Sequence, residues 1–203
     1  MIDSASTFHS IAWYVDDVAE ISTQLDQHGL RLFNISGKTV KPGEEKFAIW
    51  THPKETHGQL ECAAIGKYTI DPRLQPAWSN DYWSGRHPLG IERASHICVI
   101  VRDLPKAKRL YCDVLNGKLI HEEESAGLKR SAFVAVGTDS VVELAQPLSS
   151  TSSEARDMEQ NGEGVYSLIF KTRDLAKAND FLKSKGLRPE AANADSIEIP
   201  TSE

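Results

Sequence analysis

His96-Ile97-Cys98-Val99-Ile100-Val101-Arg102-Asp103-Leu104 reads as a strand that runs directly into a helix cap. By the two-residue period of a strand, Ile97, Val99 and Val101 share one face, and His96, Cys98 and Ile100 share the other. Asp103 stands where a helix N-cap belongs, because its carboxylate can accept from the first free amides of the helix. Leu104, Ala107, Leu110, Tyr111 and Val114 then recur at helical spacing, and Gly117 is expected to end the helix as a left-handed C-cap.

The same phrase occurs twice more. Ser10-Ile11-Ala12-Trp13-Tyr14-Val15-Asp16-Asp17-Val18 leads to Gly29, and Ser167-Leu168-Ile169-Phe170-Lys171-Thr172-Arg173-Asp174-Leu175 leads to Gly186. An internal repeat constrains architecture more strongly than any single residue. The first and third copies match without a gap: Asp17 and Asp174, Gly29 and Gly186, and Ser10 and Ser167 are each 157 residues apart. The second copy is of another type, since Asp103 to Gly117 spans 14 residues against 12 for Asp17 to Gly29.

Strands are expected after each helix, at about 30–35, 46–51 and 58–65 in the first copy and about 118–124, 130–136 and 140–146 in the second. The unit is therefore β-α-β-β-β, and the fold class is α+β, built of repeated βαβββ modules. The modules are expected at 7–66, 94–146 and 164–203, the last an incomplete βαββ copy. Linkers are expected at 67–93 and 147–163. The first linker holds Pro72, Pro76, Trp78, Tyr82, Trp83 and Pro88 and reads as a connector whose rings pack on the protein, or as a lid. The second, rich in Ser and Glu, reads as a polar turn and a short surface helix.

Composition narrows the function. The 203 residues carry a net charge of -6 and are 40% hydrophobic and 26% charged, as in a soluble globular protein. No basic block is present, so nucleic acid is not expected as a partner. No apolar run reaches the roughly 20 residues of a membrane span. The amino terminus lacks the features of a signal peptide, so a cytoplasmic location is expected. Cys62, Cys98 and Cys112 are odd in number and form no Cys-x-x-Cys pair, which suits reduced thiols.

The modules resemble the glyoxalase, bleomycin-resistance and extradiol-dioxygenase superfamily, also called vicinal oxygen chelate. The nearest pattern is that of its methylmalonyl-CoA epimerase-like members. The resemblance rests on Ser95-His96-Ile97-Cys98-Val99, on His121 with Glu122 to Glu124, and on Ala135-Val136-Gly137. It also rests on Val142-Glu143-Leu144 with Pro147-Leu148, and on Gly162-Glu163-Gly164-Val165. The first module adds His9 to Trp13, His52-Pro53-Lys54 and Gly58-Gln59-Leu60-Glu61.

The resemblance implies that the mixed sheets curve into a cup with helices on the outer face, and that a divalent metal ion is held by residues of the first and last strands of paired modules. Carried over, it names His96, Glu143 and Glu61 as ligands, with Glu61 and Glu143 also able to move a proton. The first-strand position equivalent to His96 is Ser10 in the first module and Ser167 in the third. His9 is a lesser ligand candidate, because alternation puts it with Ile11 and Trp13 on the buried face. Tyr14 shares the cup face and is a candidate acid or hydrogen-bond donor. One His and two carboxylates suit Mn, Fe, Co, Ni, Mg or Zn. Such an ion would polarise a carbonyl.

The implied activity is proton transfer next to the carbonyl of a small metabolite, as in an epimerase, isomerase or lyase. An Fe(II) extradiol-type dioxygenase is one alternative, although that chemistry normally takes two His and one carboxylate. A metal-free protein that binds or sequesters a small molecule by stacking is another. The expected partner is a small carbonyl, carboxylate or aromatic compound. The first module is expected to pair with the second, in a homodimer. His52 and His57 are expected in a solvated turn, Glu122 to Glu124 at a solvated strand end, and Cys98 as a packed thiol.

Overall fold

The computed structural model describes residue 8, residues 10–64, residue 79 and residues 81–199. The described residues of Phe8–Tyr68 and His96–Ser167 form one compact unit, and those of Thr69–Ser95 and Leu168–Glu203 form another.

In the first unit, β1 (Ser10–Val15) leads to α1 (Val18–Gln27), then β2 (Leu32–Phe33), β3 (Ala48–Thr51) and β4 (Gln59–Ala64). The sheet order is β1-β4-β3-β2, with β1 parallel to β4 and the other pairs antiparallel. The second module repeats this plan. It runs β5 (Ile91–Ile100), α2 (Leu104–Arg109), β6 (Lys118–Ser125), β7 (Lys129–Val136) and β8 (Ser140–Pro147). Its strands order as β5-β8-β7-β6, again with first and last parallel. The βαβββ modules expected from the repeat are thus present, in open mixed sheets. A further helix, α3 (Ser153–Asn161), follows β8.

The caps form as the sequence requires. Asp17 Oδ1 accepts from the amides of Ala19 and Glu20 at 2.7 and 3.1 Å, and Asp103 Oδ1 accepts from Lys106 N at 2.9 Å. Helix faces and inward strand faces of both modules share one core. It joins Ile11, Leu25, Ile49 and Leu60 of the first module to Val99, Leu104, Tyr111, Val142 and Leu144 of the second. Trp13 meets Tyr111 edge-on at 6.5 Å between ring centroids, and Gln24 Nε2 donates to Val114 O at 2.6 Å. The first module therefore pairs with the second within this unit.

One expectation at the second helix needs correction. Gly29 and Gly186 are left-handed, with φ of 76° and 83°, but Gly117 is not; Asn116 takes that conformation, with φ 53°. The cause is a π-helical turn at Leu110–Val114, where Leu115 N donates to Leu110 O. A π turn holds an extra residue per turn, so the left-handed position falls one place later than in the first module. Gly117 is needed for space instead. A Cβ there would stand 2.5 Å from Tyr111 O and 2.6 Å from Val134 Cγ1.

In the second unit, Tyr82–Arg86 forms another π-helical turn. Edge-on and tilted ring contacts run from Tyr82 to Trp83 at 5.1 Å, to His87 at 4.9 Å, and on to Phe181 at 5.3 Å. Of the expected aromatic connector, Pro72, Pro76 and Trp78 lie outside the described residues. β9 (Gly164–Thr172) neighbours β5, with Arg173 N donating to Gly90 O at 3.0 Å. α4 (Leu175–Ser184) follows, and β10 (Glu190–Asn193) pairs with β11 (Ser196–Glu198). Along the chain the order is strand, helix, strand, strand, with β10 and β11 in a sheet separate from β9. Among the described residues no helix is long and apolar enough to cross a membrane.

Two substitutions test this packing. Gly117→Ala is expected to cost roughly 2 kcal/mol through overpacking, whereas Asn116→Gly changes stability by less than about 0.5 kcal/mol, as measured by urea unfolding. Tyr111 is wholly buried, and its hydroxyl has no hydrogen-bond partner among the described residues. Tyr111→Phe removes that unpaired group and is expected to raise stability by about 1 kcal/mol.

Candidate functional site

The parallel pairing of β5 with β8 sets Cys98 opposite Glu143. The antiparallel pairing of β7 with β8 sets Phe133 opposite Glu143 and Ser131 opposite Ala145. Alternation then places His96, Cys98, Ser131, Phe133 and Glu143 on the sheet face away from the helix. Val99, Val134, Val142 and Leu144 fill the helix-packed face.

Four polar side chains meet there. His96 Nε2 lies 3.3 Å from Glu143 Oε2. Lys129 Nζ donates to Glu143 Oε1 at 2.8 Å, and Ser131 Oγ donates to the same oxygen at 2.7 Å. Lys129 Nζ also stands 3.7 Å from Glu154 Oε1 on α3. Phe133 holds the imidazole of His96 edge-on, with centroids 5.3 Å apart.

Glu143 is 4% exposed. Burial alone raises a carboxyl pKa, but His96, Lys129 and Ser131 outweigh it and bring the group down to about 2. Lys129 is pushed up in turn, its own burial being outweighed by Glu143. Glu143 is therefore a fixed anion and a weak base. Cys98, 2% exposed, is pushed well above the thiol range by burial and then by Glu143, which makes it the packed, unreactive thiol expected.

The other candidates lie elsewhere. Glu61 is half-buried on β4 and accepts from Trp50 Nε1 at 3.1 Å. Tyr14 is on the face of β1 away from the helix and is 53% exposed. His9 lies outside the described residues. Among the described residues, no group of three or more His, Cys, Asp or Glu is arranged to hold a metal ion. His57, expected in solvent, is instead 3% exposed, with Nδ1 3.1 Å from Glu163 Oε1 but outside hydrogen-bond geometry. The cause is backbone packing. Its φ is 54°, and a Cβ on Gly58 would come within 3.2 Å of Gly164 Cα, which leaves this turn no room to swing outward.

The expected divalent ion can be tested against these residues. His96 and Glu143 are suitable donor types. Both oxygens of Glu143 are already engaged, however, and one holds an ammonium. At about 4 Å a dication and an ammonium repel by roughly 8 kcal/mol even at an effective dielectric constant near 20. The arrangement does not fit a divalent metal. A cleft of about 520 Å³ lined by Arg102, Gln146, Leu148 and Met158 includes none of the four network residues.

Comparison with known proteins agrees on family. A model of the Glyoxalase/Bleomycin resistance protein/Dioxygenase superfamily matches residues 93–195. No curated protein sequence matches the chain. Among solved structures, methylmalonyl-CoA epimerase from Mycobacterium tuberculosis is 29% identical with a TM-score of 0.47, over 53% of this chain and 76% of that one. A hypothetical protein from Bacillus halodurans is 22% identical (TM-score 0.46, 52% and 80%). A Streptomyces coelicolor methylmalonyl-CoA epimerase in complex with 2-nitronate-propionyl-CoA is 24% identical (TM-score 0.46, 50% and 77%).

The Glu143 network makes a pH prediction. The folded pKa, about 2, lies below the ordinary value of 4.5, so its stabilisation is fully present above about pH 4.5 and is lost as pH falls toward 2. Glu143→Gln is expected to lower stability by about 3 kcal/mol at pH 7, with the difference shrinking toward zero near pH 2. Urea unfolding across pH reads this directly. A deficit constant with pH would show that the charge of Glu143 is not what stabilises the fold.

Proposed function

The chain belongs to the Glyoxalase/Bleomycin resistance protein/Dioxygenase superfamily, and within it we propose that it moves a proton beside the carbonyl of a small molecule, with His96 as the catalytic acid-base. The observation that carries this reading is the His96–Glu143–Lys129–Ser131 network. It joins a histidine, a carboxylate that orients it, and a cation on one face of the sheet.

The division of labour follows from the electrostatics. Glu143, held as an anion with a carboxyl pKa of about 2, is too weak a base to take a proton from carbon. It acts as the positioning residue for the imidazole and favours the imidazolium once formed, as a buried carboxylate does for a catalytic histidine. A histidine ring carries one nitrogen that can donate a proton and one that can accept it, the two functions such a step needs. Lys129, on a flexible stem, supplies the positive charge that an enolate oxygen needs as the proton leaves carbon. Members of this superfamily typically bind divalent metals. In this chain the ammonium of Lys129 occupies the carboxylate that would be a ligand, so no step is routed through a metal.

The test is solvent exchange at carbon. Protein treated with chelator is incubated in D2O with pyruvate, oxaloacetate and a malonyl-type thioester, and deuterium uptake is followed by NMR. Uptake on at least one of these is expected to persist after chelation. It should fall by about a hundredfold or more in His96→Gln, the typical contribution of a positioned acid-base. Lys129→Met should lower turnover without abolishing binding. Uptake that vanishes with chelator and returns with Mn or Zn, or that survives His96→Gln, would overturn the assignment.

A further inference from the structure

The first module carries a second candidate site, on the sheet face away from α1. Register places Phe33 opposite Trp50, and Trp50 opposite Glu61. His52, two residues beyond Trp50, and Gln59, two residues before Glu61, fall on the same face by alternation. The helix-packed face holds Leu32, Ile49, Leu60 and Cys62 instead. The loop after β2 closes one side, held by Asn34 Oδ1, which accepts from the amides of Ser36 and Lys38 at 3.0 and 3.1 Å.

These residues enclose a groove of about 330 Å³. Its walls are aromatic and held in place. Trp50 is pinned by its bond to Glu61, and the rings of Phe33 and His52 lie 6.0 Å apart. His52 Nδ1 accepts from Lys54 N at 3.2 Å, which fixes that ring as well.

Two features are unexplained by folding alone. Gln59 lines the groove, and its side-chain oxygen is buried and accepts no hydrogen bond from the described residues. Buried acceptors are almost always paired, because their desolvation is otherwise uncompensated. At the rim, Ile35 is 85% exposed, a large aliphatic side chain left almost wholly in water. A ligand in the groove would satisfy both. Among the described residues no Lys, Arg, Asp or Glu lines it, which suits an uncharged ligand. The volume is at the small end of ligand sites and suits one or two fused rings.

We propose that this groove binds a flat, uncharged heteroaromatic ring bearing an N–H donor. The ring stacks among Phe33, Trp50 and His52, its N–H donates to Gln59 Oε1, and Ile35 covers its outer edge. The site shares no residue with the His96 network and does not depend on that network's chemistry.

The test uses benzimidazole and 1-methylbenzimidazole, which differ in that single donor. Binding is followed at pH 7.5 by the NMR signal of the Trp50 indole N–H, assigned with Trp50→Phe. Benzimidazole is expected to shift that signal saturably and to bind about fivefold or more tighter than its N-methyl analogue, as one neutral hydrogen bond would give. Gln59→Leu should weaken benzimidazole by a similar factor and leave the analogue unchanged. No saturable shift at millimolar ligand, or equal weakening of both compounds by Gln59→Leu, would overturn the proposal. Because no activity is read, failure here leaves the His96 assignment standing, and failure of that assignment leaves this one standing.

Discussion

The parallel pairing of first and last strands in the first two modules is the constraint on which the rest depends. In the second module it sets Cys98 against Glu143, and alternation then settles both faces. Val99, Val142 and Leu144 turn to the helix and join the shared core, while His96 and Glu143 turn away and meet at 3.3 Å. A slip of one residue would exchange the two sets and bury the ionic pair in the apolar layer. The core thus defends the register, and the register builds the site.

The first module obeys the same rule with different residues. Ser10 stands where the second module has His96, and the equivalent face carries Trp50, Glu61 and Gln59 in place of an ionic network. One architecture therefore presents two chemically distinct faces. One carries an ionic network held by Lys129; the other is largely aromatic, with the Glu61 carboxylate bonded to Trp50. Divergence between repeats costs little, because the face away from the helix is free to vary while the helix-packed face is not.

Much of this was legible in the sequence. The repeat of strand, Asp cap and helix gave the modules, and the two-residue period placed His96 and Glu143 on the face away from the helix. Lys129 and Ser131 were missed, although a signal existed. The turn at Gly137 to Asp139 pairs Val136 with Ser140, which fixes Phe133 opposite Glu143 and Lys129 opposite Pro147. Reading that hairpin register would have brought Lys129 to the carboxylate. His57 was not legible, since its burial depends on the close approach of Gly58 to Gly164, far along the chain. Nor was the π turn that moves the left-handed residue to Asn116, because the inserted residue is visible only as a changed offset.

Lys129 Nζ holds Glu143 Oε1 at 2.8 Å, and in the proposed reading that bond keeps a divalent ion from using the carboxylate. The most direct measurement is a Mn(II) titration followed by paramagnetic broadening of the His96 ring signals in NMR, on the native protein beside Lys129→Met. The native protein is expected to show no His96 broadening at stoichiometric Mn(II), and the variant, with Glu143 released, to show it. Site-specific broadening of His96 in the native protein at stoichiometric metal would contradict the account.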